Sequence, residues 1–245
     1  MITNKTCKRN FMPLLDFVEI IALNNKENAI LGNHLDWFKA FNRIQHTIML
    51  VQRQGGKTKS LCVYGLWYAI AFNNSKIVMS SSSNNLSRDM INQIDMMYKS
   101  LPNAIKVGIA YKKTATKISV NGSTIYAGSF TDKFCNEHET ADVVLIDDLA
   151  FWKQKNVENF CRRYPRYCDC RKFIIASGAN GVGSATVPNL FYYLYATTCG
   201  FAFHHIKDVM DPVIEKQKYD KLVNQYGEMF VRQEWCGEFF TSKIK

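Results

Sequence analysis

The chain has 245 residues, ample for a sizeable core in one large domain or two small ones. A hydrophobic content of 47% with 13% aromatics fits a globular chain, and no apolar run approaches membrane-spanning length, so no membrane partner is expected. Basic residues outnumber acidic ones by 31 to 21, and the net charge of +10 either serves solubility alone or marks a polyanionic partner, usually nucleic acid. No leader with an apolar h-region opens the sequence, and the eight cysteines contain no C-x-x-C pair, so reduced thiols in a cytosolic setting are expected. Cys161, Cys168 and Cys170 lie close together but lack the paired spacing of a zinc site.

Residues 1–45 begin polar and basic, then read as two helices, Phe11–Leu23 and Leu35–Ile44. In the second, Leu35, Phe38, Phe41 and Ile44 recur at helical spacing and suit packing on a sheet, though an aromatic there could also meet a nucleotide base. A short strand, Thr47–Leu50, leads into Val51-Gln52-Arg53-Gln54-Gly55-Gly56-Lys57-Thr58-Lys59-Ser60, which opens a helix from Lys57 to about Phe72. A strand, a glycine turn and a helix with Lys-Thr at its mouth form a phosphate cradle. Turn amides and the helix N-terminus offer unpaired N–H groups, Lys57 adds charge, and Thr58 offers a hydroxyl to Mg²⁺. The standard pattern has glycine where this chain has Val51.

Lys76–Ser80 reads as the next strand, and the run Ser80–Asn85 caps a helix over Leu86–Leu101 that Pro102 ends. Thr116–Val120, Asn121-Gly122 and Ser123–Gly128 form a hairpin, because Asn-Gly suits a type I′ turn. Residues 129–141 are polar and read as a loop. Asp142–Asp148 then carries four apolar residues into two carboxylates, the pattern of a buried parallel strand delivering acids to its carboxyl edge. One acid of the pair Asp147-Asp148 suits Mg²⁺ on the β- and γ-phosphates, and the other suits orienting or deprotonating the attacking water. Glu137 and Glu139 are the next candidates for that base.

Beyond the acids, Arg162, Arg163, Arg166, Arg171 and Lys172 interleave with Tyr164 and Tyr167, either as a solvated helix end or as a contact to DNA or to a neighbouring subunit's nucleotide. Phe173–Ser177 is another buried strand, followed by a glycine-rich loop from Gly178 to Gly183. Ser177 and Asn180 there could sense the γ-phosphate or cap the turn. Asn189–Thr197 reads as a helix and Phe201–Ile206 as a strand. Asp211-Pro212 starts a helix that Gly227 stops. The architecture expected is α/β, a P-loop NTPase of the ASCE/RecA-like kind, with a mostly parallel central sheet flanked by helices plus an antiparallel hairpin. Its expected organisation is an N-terminal helical segment over 1–45, an ATPase core over 46–210 and a helical subdomain over 211–245.

These motifs, in this order, resemble the ATPase domain of the large terminase subunit, the DNA-packaging motor of tailed bacteriophages. Arg53–Thr58 resembles that family's Walker A, Leu145–Phe151 its Walker B, and Ser177–Gly181 its coupling motif. Gln233–Phe239 resembles the segment that closes the domain. The resemblance implies ATP and Mg²⁺ as cofactors, held by Gln52, Arg53, Gln54, Gly55, Gly56, Lys57, Thr58 and Lys59, with Thr58 and Asp147 on the metal. Asp148, Arg53 and Lys57 would be catalytic, and Ser177 and its loop would couple hydrolysis to movement. It also implies double-stranded DNA, a portal protein and a small terminase subunit as partners. The chain would be a monomer in isolation and a homo-oligomeric ring on the procapsid, acting in the host cytoplasm and not retained in the mature virion. Three positions depart from the family: Asp148 replaces its usual glutamate, Lys39 stands near its adenine-recognising glutamine, and Lys133 is the only cation over 131–140, where it usually has arginine-glycine. The nuclease domain that large terminases also carry would begin where this chain stops. Helicase-like DNA-dependent ATPases and weakly hydrolysing nucleotide-binding regulators are the alternatives.

Overall fold

A computed structural model describes residues 11–24, 26–138, 140–167, 169–183, 189–196 and 204–240, without the side chains of residues 26, 27, 29, 30 and 164–167. The described strands form one sheet of eight. They are β1 (His46–Val51), β2 (Lys76–Ser80), β3 (Tyr111–Lys113), β4 (Lys117–Val120), β5 (Ser123–Ala127), β6 (Val143–Asp147), β7 (Lys172–Ser177) and β8 (His204–Asp208), in spatial order β3-β4-β5-β2-β6-β7-β1-β8. Pairings from β5 through β8 are parallel, whereas β3–β4 and β4–β5 are antiparallel. The four parallel strands β1, β2, β6 and β7 are almost wholly buried, as the near-continuous apolar runs Ile48–Val51, Val143–Ile146 and Phe173–Ala176 require when helices cover both faces. The hairpin turn has φ 51° at Asn121 and 77° at Gly122, the double left-handed geometry of a type I′ turn.

One face carries α1 (Leu14–Asn24), α2 (Leu35–Arg43), α3 (Lys57–Ala71) and α4 (Asn84–Ser100), whose apolar residues share a core with residues of β1, β2 and β4–β7. Every residue of α3 from Ser60 to Ala71 is buried, so this helix behaves as a core element rather than an amphipathic cover. On the opposite face, α6 (Asp132–Glu137), α7 (Gln154–Tyr167) and α8 (Leu190–Ala196) join a core that includes Phe130, Trp152, Phe160, Phe173 and Phe191. Helices α9 (Lys216–Tyr226) and α10 (Glu228–Glu234) form a small cluster of their own around Met210, Val231 and Trp235.

Several expectations need correction. Residues 129–141 are not all loop: α6 occupies their middle, with the Thr131 hydroxyl accepting from the Phe134 amide as its N-cap. Six residues are too few to show a helical period in sequence. A four-residue α5 (Asn103–Lys106) and the edge strand β3 were likewise unmarked by any periodicity. Asp211-Pro212 makes a turn rather than starting a helix: Asp211 Oδ1 accepts from the Val213 and Ile214 amides, and α9 begins only at Lys216. The helix expected from Phe11 begins at Leu14, after Pro13. The strand expected over Phe201–Ile206 is described from His204 to Asp208, its first three residues lying outside the described part. Thr197, at the end of another expected helix, also lies outside. Of the clustered cysteines, Cys161 is exposed, Cys170 is buried with its thiol donating to the Lys172 carbonyl, and Cys168 lies outside the described residues. Among the described residues, no helix is long and apolar enough to cross a membrane.

Gly65 lets α3 lie flush on the sheet. A Cβ there would sit 3.2 Å from Leu145 Cδ1 and 3.4 Å from Met79 Sδ. Gly65→Val is therefore expected to destabilise the fold by about 1–3 kcal/mol through overpacking, measured as a lower urea midpoint with unchanged m-value. A midpoint equal to the native one would show that the helix can ride away from β6 at no cost.

Candidate active site

The carboxyl ends of β1, β6 and β7 bring three sequence motifs to one edge. After β1 the chain turns through Gln54 at φ 60° and Gly56 at φ 83°, with Gly56 as the N-cap of α3. Such alternating left-handed geometry points successive amides into one hollow. Gly55 between them has no room for a side chain, since a Cβ would meet Val51 Cγ1 at 2.7 Å and the Gln52 carbonyl at 3.0 Å. Val51, in place of the usual first glycine, is thus the residue against which the turn closes. The hollow is a pocket of about 460 Å³ lined by Gln54, Gly55, Gly56, Lys57, Thr58, Lys59 and Gln93.

Asp147 ends β6 almost fully buried, at 3% exposure. Its Oδ2 accepts from the Thr58 hydroxyl at 3.0 Å and the Ser81 hydroxyl at 3.4 Å, while its Oδ1 is buried without a hydrogen-bond partner. Burial, then the neighbouring Asp148 charge, pushes the Asp147 carboxyl up to about 7, against the pull of Lys57, Thr58 and Ser81. An orphaned carboxylate oxygen beside a threonine hydroxyl is a hard-oxygen donor set suited to Mg²⁺. Asp148 takes a left-handed conformation, φ 53° and ψ 40°, and its Oδ1 lies 3.2 Å from Lys57 Nζ. Short aspartate tolerates that backbone well. A glutamate, as the resembling family has here, would carry a cost of about 1–2 kcal/mol.

Behind the acids, the Ser177 hydroxyl accepts from the Ala150 amide at 3.1 Å and donates to the Gly178 carbonyl at 3.0 Å. Asn180 Nδ2 donates to the Ala150 carbonyl at 2.8 Å, and Asn189 Nδ2 reaches the same carbonyl at 3.0 Å. Both sequence-predicted residues of this loop thus grip the turn that follows Asp148 and do not line the pocket. Gln52 and Arg53 also stand outside the lining. The Gln52 amide donates to the Asp208 carbonyl at 2.9 Å, and the Arg53 amide to the Glu234 carbonyl at 2.6 Å. The Arg53 guanidinium rests over the packed Phe230 and Trp235 rings, 5.6 and 5.9 Å from their centroids, and 3.7 Å from Glu234 Oε2. Burial raises the Glu234 carboxyl above its ordinary range, with Gln233 and Arg53 opposing.

The basic segment is not gathered at this edge. Arg162 is exposed on α7, and Arg163 donates to Asn136 Oδ1. Arg171 lies at the amino edge of the sheet beside Asp142, on the far side from the turn. The Arg166 side chain and Glu139 lie outside the described residues. Glu137 sits on α6, away from the acids, and Lys39 is paired with Asp36 on the surface.

Sequence reasoning missed four residues of this region. Ser81 belongs to a run read only as a helix cap. Gln93 comes from mid-α4, with its Oε1 buried and unpartnered against the pocket. His34, stacked on Trp37 at 3.8 Å and 3.5 Å from Asp208 Oδ2, braces the turn from behind, where Gly55 supplies it a backbone hydrogen bond. Glu234 had a signal only in the closing segment that resembles the terminase family.

A family model described as "Terminase large subunit, T4likevirus-type, N-terminal" matches residues 48–168, the span from β1 through α7. That stretch, just under half of the chain, is similar to the large-terminase N-terminal family. The terminase fold extends beyond the matched span. The Thermus phage P74-26 large terminase ATPase domain superposes with a TM-score of 0.59 at 13% identity, covering 82% of this chain and 92% of that one. The large terminase of a thermophilic bacteriophage, solved in complex with ADP, gives 0.56 at 17% identity over 80% of this chain and 49% of its own. The bacteriophage HK97 large terminase gives 0.58 at 12% identity over 94% and 51%. This chain therefore spans about half the length of those two full terminases. At such identities the superpositions establish the fold, that of a P-loop NTPase. No curated protein matches the chain.

Folding raises the Asp147 pKa from 3.8 to about 7, so its contribution to stability is complete below about pH 4 and is lost as pH rises through 7. Asp147→Asn is expected to melt several degrees above the native protein at pH 8 without nucleotide, with the gap closing toward pH 5. Equal gaps at both pH values in differential scanning fluorimetry would show that the carboxylate is not strained by its burial.

Proposed function

We propose that this chain is the ATP-hydrolysing motor domain that drives double-stranded viral DNA into a preformed procapsid. The single observation that carries the reading is the pairing of the turn with the acid strand: Thr58 to Asp147 at 3.0 Å and Lys57 to Asp148 at 3.2 Å, across one pocket. The similarity of residues 48–168 to the large-terminase N-terminal family supports the packaging role. A thermophilic-phage large terminase of the same fold, solved in complex with ATP-γ-S, supports ATP as the nucleotide.

In this reading the amides of Gln54 and Gly56–Thr58 and the Lys57 ammonium hold the β- and γ-phosphates, with Lys59 at the rim. Gly55, whose amide donates to the Gln52 carbonyl at 3.1 Å, lets the turn close. Thr58 and the free Oδ1 of Asp147 hold Mg²⁺, which when bound draws off charge developing on the phosphate oxygens. Lys57 leaves Asp148 for the phosphate, and the released carboxylate orients the water that attacks the γ-phosphorus, giving ADP and inorganic phosphate. Arg53 swings from Glu234 toward the γ-phosphate. Ser177 and Asn180, by gripping the turn after Asp148, relay the state of the acid loop to the rest of the fold. Arg162, Arg163, Arg166 and Arg171 are secondary candidates for contact with DNA or a neighbouring subunit. The core would be residues 46–210, with 1–45 packed on it and 211–245 as a helical subdomain. Partners would be the portal protein, the small terminase subunit and further copies of this chain in a ring, in the host cytoplasm during virion assembly. The ring would stay out of the mature virion, and the free chain would be a monomer.

Two substitutions separate binding from chemistry. Lys57→Ala is expected to abolish ATP binding in a protein that keeps its circular dichroism and melting temperature. Unchanged affinity and turnover would sink the cradle assignment. Asp148→Asn is expected to bind Mg·ATP while hydrolysing it about 10²–10⁴-fold more slowly, as phosphate release would measure. Native turnover in that variant would place the base elsewhere.

A further inference from the structure

A second cleft, of about 430 Å³, opens at the carboxyl end of β5 and shares no lining residue with the phosphate pocket. Arg88 of α4, Lys117 at the start of β4 and Lys133 of α6 converge on it, against one carboxylate, Glu137. Among the described residues none of these three cations has an ion-pair partner; Lys117 lies over the Tyr126 ring, 5.6 Å from its centroid. His138, also in the lining, adds no positive charge at neutral pH, because burial and then the Lys76 charge lower its pKa to about 4. Three unneutralised cations from three separate elements repel one another, an arrangement that an anion relieves.

The shape of the cleft says which anion. No glycine turn or buried amide nest encloses a single phosphate there, and Arg88 and Lys133 are exposed along an open rim with the hydroxyls of Thr114, Thr116 and Thr131. The aromatic rings that line it are already engaged: Phe134 packs edge-on against His138 at 4.6 Å and Phe130 at 6.0 Å. Tyr126 has the His138 ring at 4.2 Å, Lys117 at 5.6 Å and Lys76 at 5.8 Å from its centroid. Cations and hydroxyls on an open rim without a base slot suit the repeated phosphodiesters of a backbone, read without regard to sequence.

The cleft is also wired to the acid strand. Asn84 Oδ1, in the first turn of α4, accepts from the Ser129 amide at 3.0 Å and its hydroxyl at 2.7 Å, tying that turn to the wall after β5. One turn on, Ser87 Oγ accepts from the Ser81 amide at 3.2 Å, and the Ser81 hydroxyl donates to Asp147 Oδ2 at 3.4 Å. Farther along the same helix, Gln93 lines the phosphate pocket. We infer that the β5–α4–α6 cleft grips the backbone of duplex DNA, and that α4 passes this engagement through Ser87 and Ser81 to the acid site. The second half of this inference rests on the ATPase reading above; the first half does not.

The test uses the full chain carrying Arg88→Ala and Lys117→Ala together, with Lys133→Ala made separately and Lys221→Ala, on exposed α9, as a single-charge control. Affinity for two unrelated 30-base-pair duplexes is measured by fluorescence anisotropy across a salt series. The double variant is expected to bind both duplexes more weakly and to lose about 2 units of the slope of log K against log salt, near 0.9 per phosphate contact. Lys133→Ala should lose about 1 unit and Lys221→Ala none. Basal hydrolysis and ATP affinity should stay native in the double variant, while any acceleration of hydrolysis by DNA is lost. An Arg88→Lys and Lys117→Arg exchange should restore the slope. Native DNA affinity and slope in the double variant overturn the inference, as does loss of a second ATP-binding event with the DNA slope intact. A native protein that hydrolyses no ATP would defeat the motor reading while leaving the DNA titration to judge the cleft.

Discussion

Everything at the functional edge depends on a carboxylate held where water cannot reach it. Asp147 sits at the end of a strand buried on both faces, with two hydroxyl donors on one oxygen and none on the other. Burying a half-satisfied carboxylate is costly, and the fold tolerates it only because β6 lies between β2 and β7 with helices on both sides. The strain is local and of a kind that a bound cation would remove. Asp148 adds a left-handed backbone to the same spot, and Gln54 another across the pocket. Three departures from ordinary geometry or solvation within one site, in a sheet otherwise regular, mark where the molecule gives up stability for chemistry.

Much of this was legible in the residues. The strand of four apolar residues ending in two acids could hardly be anything but a central strand, and the glycine pair before Lys57 could be located without any coordinates. The Asn121-Gly122 turn declared its hairpin in the same way. What stayed hidden was of two kinds. Short elements such as α6 and β3 lack a full period, so their formation is decided by packing against Phe130 and the hairpin rather than by their own sequence. Long-range partners form the other kind. No local pattern says that Ser81 will reach Asp147, or that Gln93 will turn toward a loop nearly forty residues earlier. Arg53 is the sharpest case. Its position in the turn after β1 was readable, but its resting contact with Glu234, outside the pocket lining, was not.

The two clefts stand in different relations to the same sheet. The pocket at the Gln54–Lys59 turn is shaped by backbone closed down by Val51 against Gly55. The β5 cleft is built from side chains around occupied aromatic faces. Helix α4 touches both. Its first turn is hydrogen-bonded toward each side, which leaves it little freedom to respond to one cleft without disturbing the other.

The hydrogen bond that the Arg53 amide donates to the Glu234 carbonyl also has a meaning in time. It joins the first strand's exit to the last described helix, across nearly the whole described chain, with Gln52 and Asp208 making a second such stitch. Contacts of that separation form late, because the entropy of closing the intervening chain must first be offset by the rest of the core. A ribosome delivers residues 52 and 53 early, yet their turn cannot be completed until α10 has emerged and docked. The nascent chain would therefore pass through most of its folding without a finished phosphate turn, and competence for nucleotide would come as one of its final events.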